Sequence, residues 1–379
     1  MARPLSMSDL FPQIIGQELP KKILTFLYKS RHFPPLLFVG PEGVGKRTTA
    51  ITYAQLINCP DPNDWGKYEC VRCRQIAQLN NFDTKLFFPI GVRKTSLSAM
   101  QAFENIDLSN PFELAKYEDV LAVINKNLSS FCLGQIRPRL SSVSYHPLSI
   151  IQFIKTEMAF RPVVCKYKVI IILDAHKMRA EAANALLKTL EEPQKDTVFI
   201  LTAEQITQIV PTIRSRCQVV YFRYLTKDEI KNYLLNKKIP EEKAEVASLV
   251  AEGSLRKALT FINNEGEFWP SSEIITLIDR SQSSAQDFIA KILNNETLSN
   301  DVSLEKTVSS LIYLYRQALF AKLNMPIILE KSTINRIVEK LNYEQILLRL
   351  TWLLKAETEL SMNLNRKIFL FKILATLRI

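Results

Sequence analysis

The sequence predicts an α/β fold: a doubly wound parallel sheet, then a small helical unit and an all-α C-terminal domain. Three observations carry this expectation. Short apolar runs that read as buried strands, such as Leu36-Leu37-Phe38-Val39 and Val169 to Leu173, alternate with helical patterns over the first 224 residues. From about Leu225 onward the patterns are helical only. Glycine is scarce, 9 in 379 residues, which argues against a turn-rich all-β protein.

Each element follows from its residues. Leu19 to Tyr28 has helical periodicity and Pro34-Pro35 closes it. Leu36 to Val39 is a strand, and Gly40 to Lys46 follows it directly as a glycine loop. Thr48 to Leu56 continues as a helix, so strand, glycine loop and helix stand in the order a phosphate loop requires. Thr84 to Ile90 reads as the next strand. Residues 91–147, with a helical stretch from Pro111 to Asn127, read as an insertion. Ser149 to Met158 is a helix, Val169 to Leu173 a strand, and Ala180 to Glu192 a helix stopped by Pro193. Val198 to Thr202 and Val219 to Arg223 complete the strands. The expected domains are 1–224, a helical unit at 225–268 and a helical domain at 269–379 with runs at Leu304 to Leu323 and Tyr343 to Leu360.

Composition narrows the function classes. The net charge of +11, from 49 Lys and Arg against 38 Asp and Glu, favours an acidic partner such as nucleic acid; simple solubility is the plainer reading. No apolar run approaches the ~18 residues of a membrane span, and the start lacks the apolar core of a secretory signal. A cytoplasmic protein without membrane contact is expected. Six unevenly spread cysteines suit free thiols or a metal site better than a disulfide framework.

The site residues carry more. Gly40, Gly43 and Gly45 let backbone N–H groups face phosphate oxygens at a helix N-terminus, and Lys46 adds a point charge. The hydroxyl that ligates Mg²⁺ in such loops is replaced by Arg47, and Thr48 is turned by roughly 100° along the helix. The loop either binds ATP or is a vestige that binds little of it. Asp174 can hold Mg²⁺ through water, but the next position is Ala175, not an acid that polarises water. General-base help is worth ~10²–10⁴-fold, so this chain is expected not to hydrolyse ATP itself. Glu191 and Glu192 lie near the end of the next helix and are expected to face away. Arg216, in Ser215-Arg216-Cys217, is either an arginine that reaches a neighbour's phosphates, worth ~10³–10⁵-fold, or one half of a surface ion pair. Arg256, after Gly253-Ser254-Leu255, could reach bound nucleotide from the helical unit. Cys70 and Cys73 have metal-ligand spacing with Cys59 upstream, so they form a Zn²⁺ site or a packed remnant of one.

Together these residues resemble the clamp-loader branch of the AAA+ ATPases. Asn184-Ala185-Leu186-Leu187-Lys188-Thr189-Leu190-Glu191-Glu192-Pro193 matches a motif of bacterial clamp-loader subunits, and Thr212 to Cys217 matches the family's arginine-finger motif. Ile15-Gly16-Gln17 looks like its adenine-side box, Gly253 to Arg256 its second sensor, and Asn363-Leu364-Asn365-Arg366 its collar helix. The resemblance runs from about residue 8 to the C-terminus, apart from 91–147. It implies an AAA+ domain, a helical lid and a collar. It also implies partners: motor and delta-type clamp-loader subunits, the sliding clamp and primer-template DNA. Arg47 and Ala175 depart from the motor pattern and follow the delta-prime one. Lys67 stands where the family's zinc knuckle has its first Cys-x-x-Cys-x-x-Cys cysteine. A gamma/tau-type ATPase motor, or an AAA+ scaffold outside replication, are the competing readings.

Overall fold

In the computed structural model, the described residues are 10–60, 70–91, 144–146, 148–263, 301–324 and 331–359, with single positions beyond 368. The helix expected within 111–127, Lys67 and the Asn363 to Arg366 motif lie outside them. The chain divides into two compact units, Met1–Leu259 and Thr260–Ile379.

The first unit is built on a five-stranded parallel sheet. Its strands are β1 (Leu36–Val39), β2 (Thr84–Phe87), β5 (Lys168–Ile172), β6 (Thr197–Ala203) and β7 (Gln218–Tyr221), ordered β2-β5-β6-β1-β7. Leu36 pairs with Ile200 of β6 on one side and Gln218 of β7 on the other. Every residue of β1, β5 and β6 is buried, as expected where helices cover both faces.

Alternation along each strand divides the core. Leu36, Phe38, Val169, Ile171, Val198 and Ile200 face one cluster, which includes Leu24 and Leu27 of α1 (Glu18–Ser30) and Ala50 and Tyr53 of α2 (Lys46–Asn58). Leu37, Val39, Ile170, Ile172, Phe199 and Leu201 face the other. There they meet Ile151 and Ile154 of α4 (Leu148–Met158) and Leu186 and Leu190 of α5 (Ala180–Glu191). Between α2 and β2 lies the short helix α3 (Val71–Ala77).

Two expected elements differ. Thr84 to Ile90 is not one strand. β2 ends at Phe87, and Ile90–Gly91 forms a separate strand, β3, pairing antiparallel with β4 (Ser144–Tyr145). The closing end of the 91–147 segment therefore belongs to the domain, and His146 bridges to Met178. The helix after the glycine loop starts at Lys46, two residues before Thr48, because left-handed Gly45 turns the chain into it.

After β7 the first unit continues as helices. A four-residue turn of helix, α6 (Pro211–Arg214), precedes β7; α7 (Lys227–Asn236) and α8 (Glu241–Val250) follow it, and α9 (Leu255–Asn263) runs across the boundary between the units. Thr226 caps α7 in a reciprocal box: its hydroxyl accepts from Glu229 N, and Glu229 accepts from Thr226 N. In the second unit, α10 (Asp301–Lys322), α11 (Lys331–Lys340) and α12 (Tyr343–Glu359) enclose a core of Leu311, Tyr315, Ile334, Ile346 and Leu353.

The entry to β5 rests on one carboxylate. Asp83, 1% exposed, accepts N–H groups of Val163, Val164 and Cys165 at 2.7–2.8 Å. Asp83→Ala orphans these donors and is expected to lower stability by about 3 kcal/mol, read from chemical denaturation. A loss below ~0.5 kcal/mol would show that this loop does not depend on Asp83.

Candidate nucleotide site and an arginine on the opposite edge

The glycine loop leaves the carboxyl end of β1, the central position at which parallel sheets receive ligands. Gly40 is required by close approach: a Cβ there would lie 2.3 Å from the carbonyl oxygen of Phe222. Gly43, at φ +78°, has no room either, since a Cβ would meet Ser254 Oγ at 2.0 Å and Arg256 Cβ at 2.9 Å. The helices after β7 thus close directly over the loop.

Charges lock this arrangement. Lys46, buried, donates from Nζ to the carbonyls of Gly40 and of Pro41 (2.6 Å). Arg256 Nη1 donates to Glu42 Oε1 at 2.5 Å. Both cations that could meet phosphate are therefore engaged by groups of the loop itself. Arg47 is half-buried and Thr48 exposed, while the Thr49 hydroxyl is turned back to Gly45 O at 2.9 Å.

Asp174 follows β5 in left-handed backbone, with φ 50°. Its N–H donates to Thr202 Oγ1 at 3.0 Å, and its carboxylate lies 3.7 Å from Lys177 Nζ. Thr202, 2% exposed in β6, is expected from the sequence only as the end of a strand. The half-buried His176 imidazole lies within the field of these charges. Burial first, then Lys177 and Lys46, hold its pKa below the usual value, while Asp174 and Glu204 push the other way. Ala175 is buried and supplies no acid. Two further residues make contacts that the sequence did not announce. Gln17 accepts from Arg223 N at 3.1 Å and donates to Arg223 O at 2.7 Å, fixing the Gly16-Gln17 entry to the end of β7. His146, fully buried, donates from Nε2 to Leu173 O at 2.7 Å, and burial takes its pKa down to about 4, so the ring is neutral. No motif announced it, because its partner lies 27 residues away.

Arg216 is elsewhere. It lies two residues before β7, whose start pairs with the start of β1, so it lies at the amino edge of the sheet. The glycine loop is at the carboxyl edge, roughly 13 Å further at ~3.3 Å per residue. Arg216 Nε donates to Glu191 Oε1 at 2.6 Å, Nη2 pairs with the same oxygen, and Nη1 donates to Thr212 O at 2.8 Å. The surface ion pair is thus present. Burial pushes the neighbouring Cys217 thiol up to about 12, which suits a packing residue.

The third group is the cysteine trio. The Sγ atoms of Cys59, Cys70 and Cys73 lie within 4.8 Å of one another, joining the end of α2 to the start of α3. Burial opposes the Cys70 thiolate, but hydrogen bonds from Cys73, Arg72 and Cys59 outweigh it and lower the pKa. Burial, then Cys59, raises that of Cys73.

Residues 17–226, more than half of the chain, match the family model described as DNA polymerase III, delta subunit. The chain belongs to this clamp-loader family. The clamp-loader chain is 26% identical over 364 residues to DNA polymerase III subunit tau of Bacillus subtilis, covering 89% of this chain and 54% of that protein. It is 27% identical over 228 residues to subunit delta' of the same organism, covering 59% and 53% respectively. Subunit gamma/tau of Mycoplasma genitalium is 27% identical over 362 residues, covering 88% and 51%. The clamp-loader chain spans about half the length of these curated relatives.

In this geometry Glu42 holds Arg256 and adds a negative charge to the loop, so a phosphate there would have to compete with it. Glu42→Gln is expected to bind a fluorescent ATP analogue about three- to tenfold more tightly in equilibrium titration, from the loss of a nearby like charge. Equal or weaker binding would rule that competition out.

Proposed function

We propose that this chain is a delta-prime-type clamp-loader subunit that does not hydrolyse ATP and donates Arg216 to the site of an adjacent motor subunit. The observation that carries the reading is the position of Arg216 on the sheet edge opposite the chain's own glycine loop. That distance from the chain's own loop supports a role toward a nucleotide held by a neighbour over one held in cis. Its part is to set positive charge beside a phosphoryl group in transfer, where fixed electrostatics does most of the work.

The chain's own site supports the non-hydrolysing half. Arg47 stands in the Mg²⁺-ligating hydroxyl position and Ala175 in that of the water-polarising acid. ATP, if bound, would lie against Gly40, Gly43, Gly45 and Lys46, with Asp174 on the side of the Mg²⁺ ion and Arg256 reaching from the lid. Bound nucleotide would then set the angle of the lid without being consumed. The helices of the second unit would form the collar that joins subunits. The partners are motor and delta-type subunits and, through the complex, the sliding clamp and primer-template DNA, all in the cytoplasm. The net charge of +11 suits phosphate contacts, which carry no sequence information.

Cys59, Cys70 and Cys73 would hold Zn²⁺ as a structural cross-link between α2 and α3. A tetrahedral thiolate site at ~2.3 Å per bond needs sulfurs about 3.8 Å apart, and the trio is within small side-chain adjustment of that; the fourth ligand such a site needs is not among the described residues. Zinc would supply cohesion there and no chemistry.

One observation favours a second reading, a gamma/tau-type motor: the alignments to tau and gamma/tau relatives run over 364 and 362 residues, against 228 for delta'. The two readings separate on activity. The chain alone is expected to show no ATP turnover above background. Mixed with its motor subunit, clamp and primed DNA, the complex turns over ATP, and Arg216→Ala lowers that rate by ~10³-fold. Turnover by the chain alone at ordinary rates would establish the motor reading; a complex indifferent to Arg216→Ala would remove the finger. For the metal, elemental analysis of the purified chain is expected to find about one zinc per chain, lost in Cys73→Ser. A metal-free chain of full stability would dismiss the zinc site.

A further inference from the structure

We propose that Glu191 is the positioning residue of Arg216: it grips one edge of the guanidinium and presents the other to a phosphate held by the adjacent subunit. This rests on the finger reading above and adds the residue that makes the finger competent.

The geometry is a two-point hold. Guanidinium carries five N–H donors. Nε and Nη2 both donate to the single oxygen Oε1 of Glu191, and Nη1 donates to Thr212 O at 2.8 Å and to Ser215 Oγ at 3.4 Å. The carboxylate therefore takes the side edge of the fork. The remaining N–H, on Nη2, has no partner among the described residues. The end of the fork, the edge that matches a phosphate, is reached by giving up only the long contact to Ser215 Oγ.

The two holders are exposed, but their backbones are anchored by buried neighbours. Glu191 ends α5 next to Leu190, 2% exposed, and about one and a half turns after Leu186, 0% exposed. Thr212 is the second residue of α6, beside Ile213, 1% exposed, and the same apolar cluster buries all three neighbours. The pair bridges two helices seated on one face of the sheet. An arginine tip left to itself samples many rotamers, and a contact needed only in the transition state is wasted unless the group waits in place. Glu191 supplies that preorganisation. It also gives a physical role to an acid in the Thr189-Leu190-Glu191-Glu192-Pro193 stretch. It lies 25 residues from Arg216 in sequence.

The test uses the full chain reconstituted with its motor and delta-type subunits, clamp and primed DNA, and reads kcat and KM for ATP. Glu191→Ala is expected to lower kcat about tenfold with KM for ATP within about twofold, since the group acts on orientation and not on nucleotide binding. Glu191→Gln keeps an acceptor at the same reach and recovers most of the loss. In an Arg216→Ala background, Glu191→Ala is expected to do nothing further, because Glu191 acts through Arg216. If Glu191→Ala fails to assemble, Glu191→Met, of similar shape without an acceptor, takes its place with the same expected loss.

Three results overturn the proposal. An unchanged or raised kcat in Glu191→Ala, with Arg216→Ala impaired, would leave the finger standing and remove Glu191 as its positioner. A further loss in the Arg216→Ala background would make Glu191 a structural residue. No effect of Arg216→Ala would remove the finger reading and this inference with it.

Discussion

Burial of the central strands on both faces is the constraint from which the rest of the first unit follows. β1, β5 and β6 have no solvent-facing side, so helices must cover each face and every crossover must be long. Parallel strands then give the domain two unlike edges. The glycine loop, Asp174 and Thr202 come together at the carboxyl edge, and Arg216 with Glu191 at the amino edge. An internal site and an outward arginine on one small sheet need no extra architecture. They are the two ends of the same strands.

The carboxyl edge is a closed system of charges. Lys46 is satisfied by the loop's carbonyls, Arg256 by Glu42, and Asp174 lies near Lys177. Entry of a phosphate would exchange these partners for its own oxygens, and Arg256 and Ser254 would carry such a change to the helices after β7. The fit of Ser254 over Gly43 makes that coupling steric as well as electrostatic. His146 reinforces the base of the site from behind: its neutral ring holds the carbonyl of Leu173, one residue before Asp174.

The amino edge works differently. Its contacts are half exposed, and an exposed ion pair contributes little to stability, about 0–1 kcal/mol. The Arg216–Glu191 pair is better understood through what it does to orientation than through what it adds to folding. The cysteine trio lies apart from both edges, where α2 gives way to α3, and its convergence is a packing event between two helices.

Much of the fold was legible in the sequence, because strand burial and helix periodicity are local. Leu36 to Val39 is a strand in both readings, as is the core of Val169 to Ile172, and α5 differs by one residue at its end. The substitutions at Arg47 and Ala175 are matters of residue type and were likewise visible. Tertiary structure alone decided the pairings between distant residues. Glu191 was expected to face away from the site, and nothing local ties it to Arg216. His146 sat in a stretch read as insertion, and Thr202 meets Asp174 only because β5 and β6 are neighbours. Periodicity records which side of an element is buried. Which residue it meets there depends on strand order and register, and those are set by the whole chain at once.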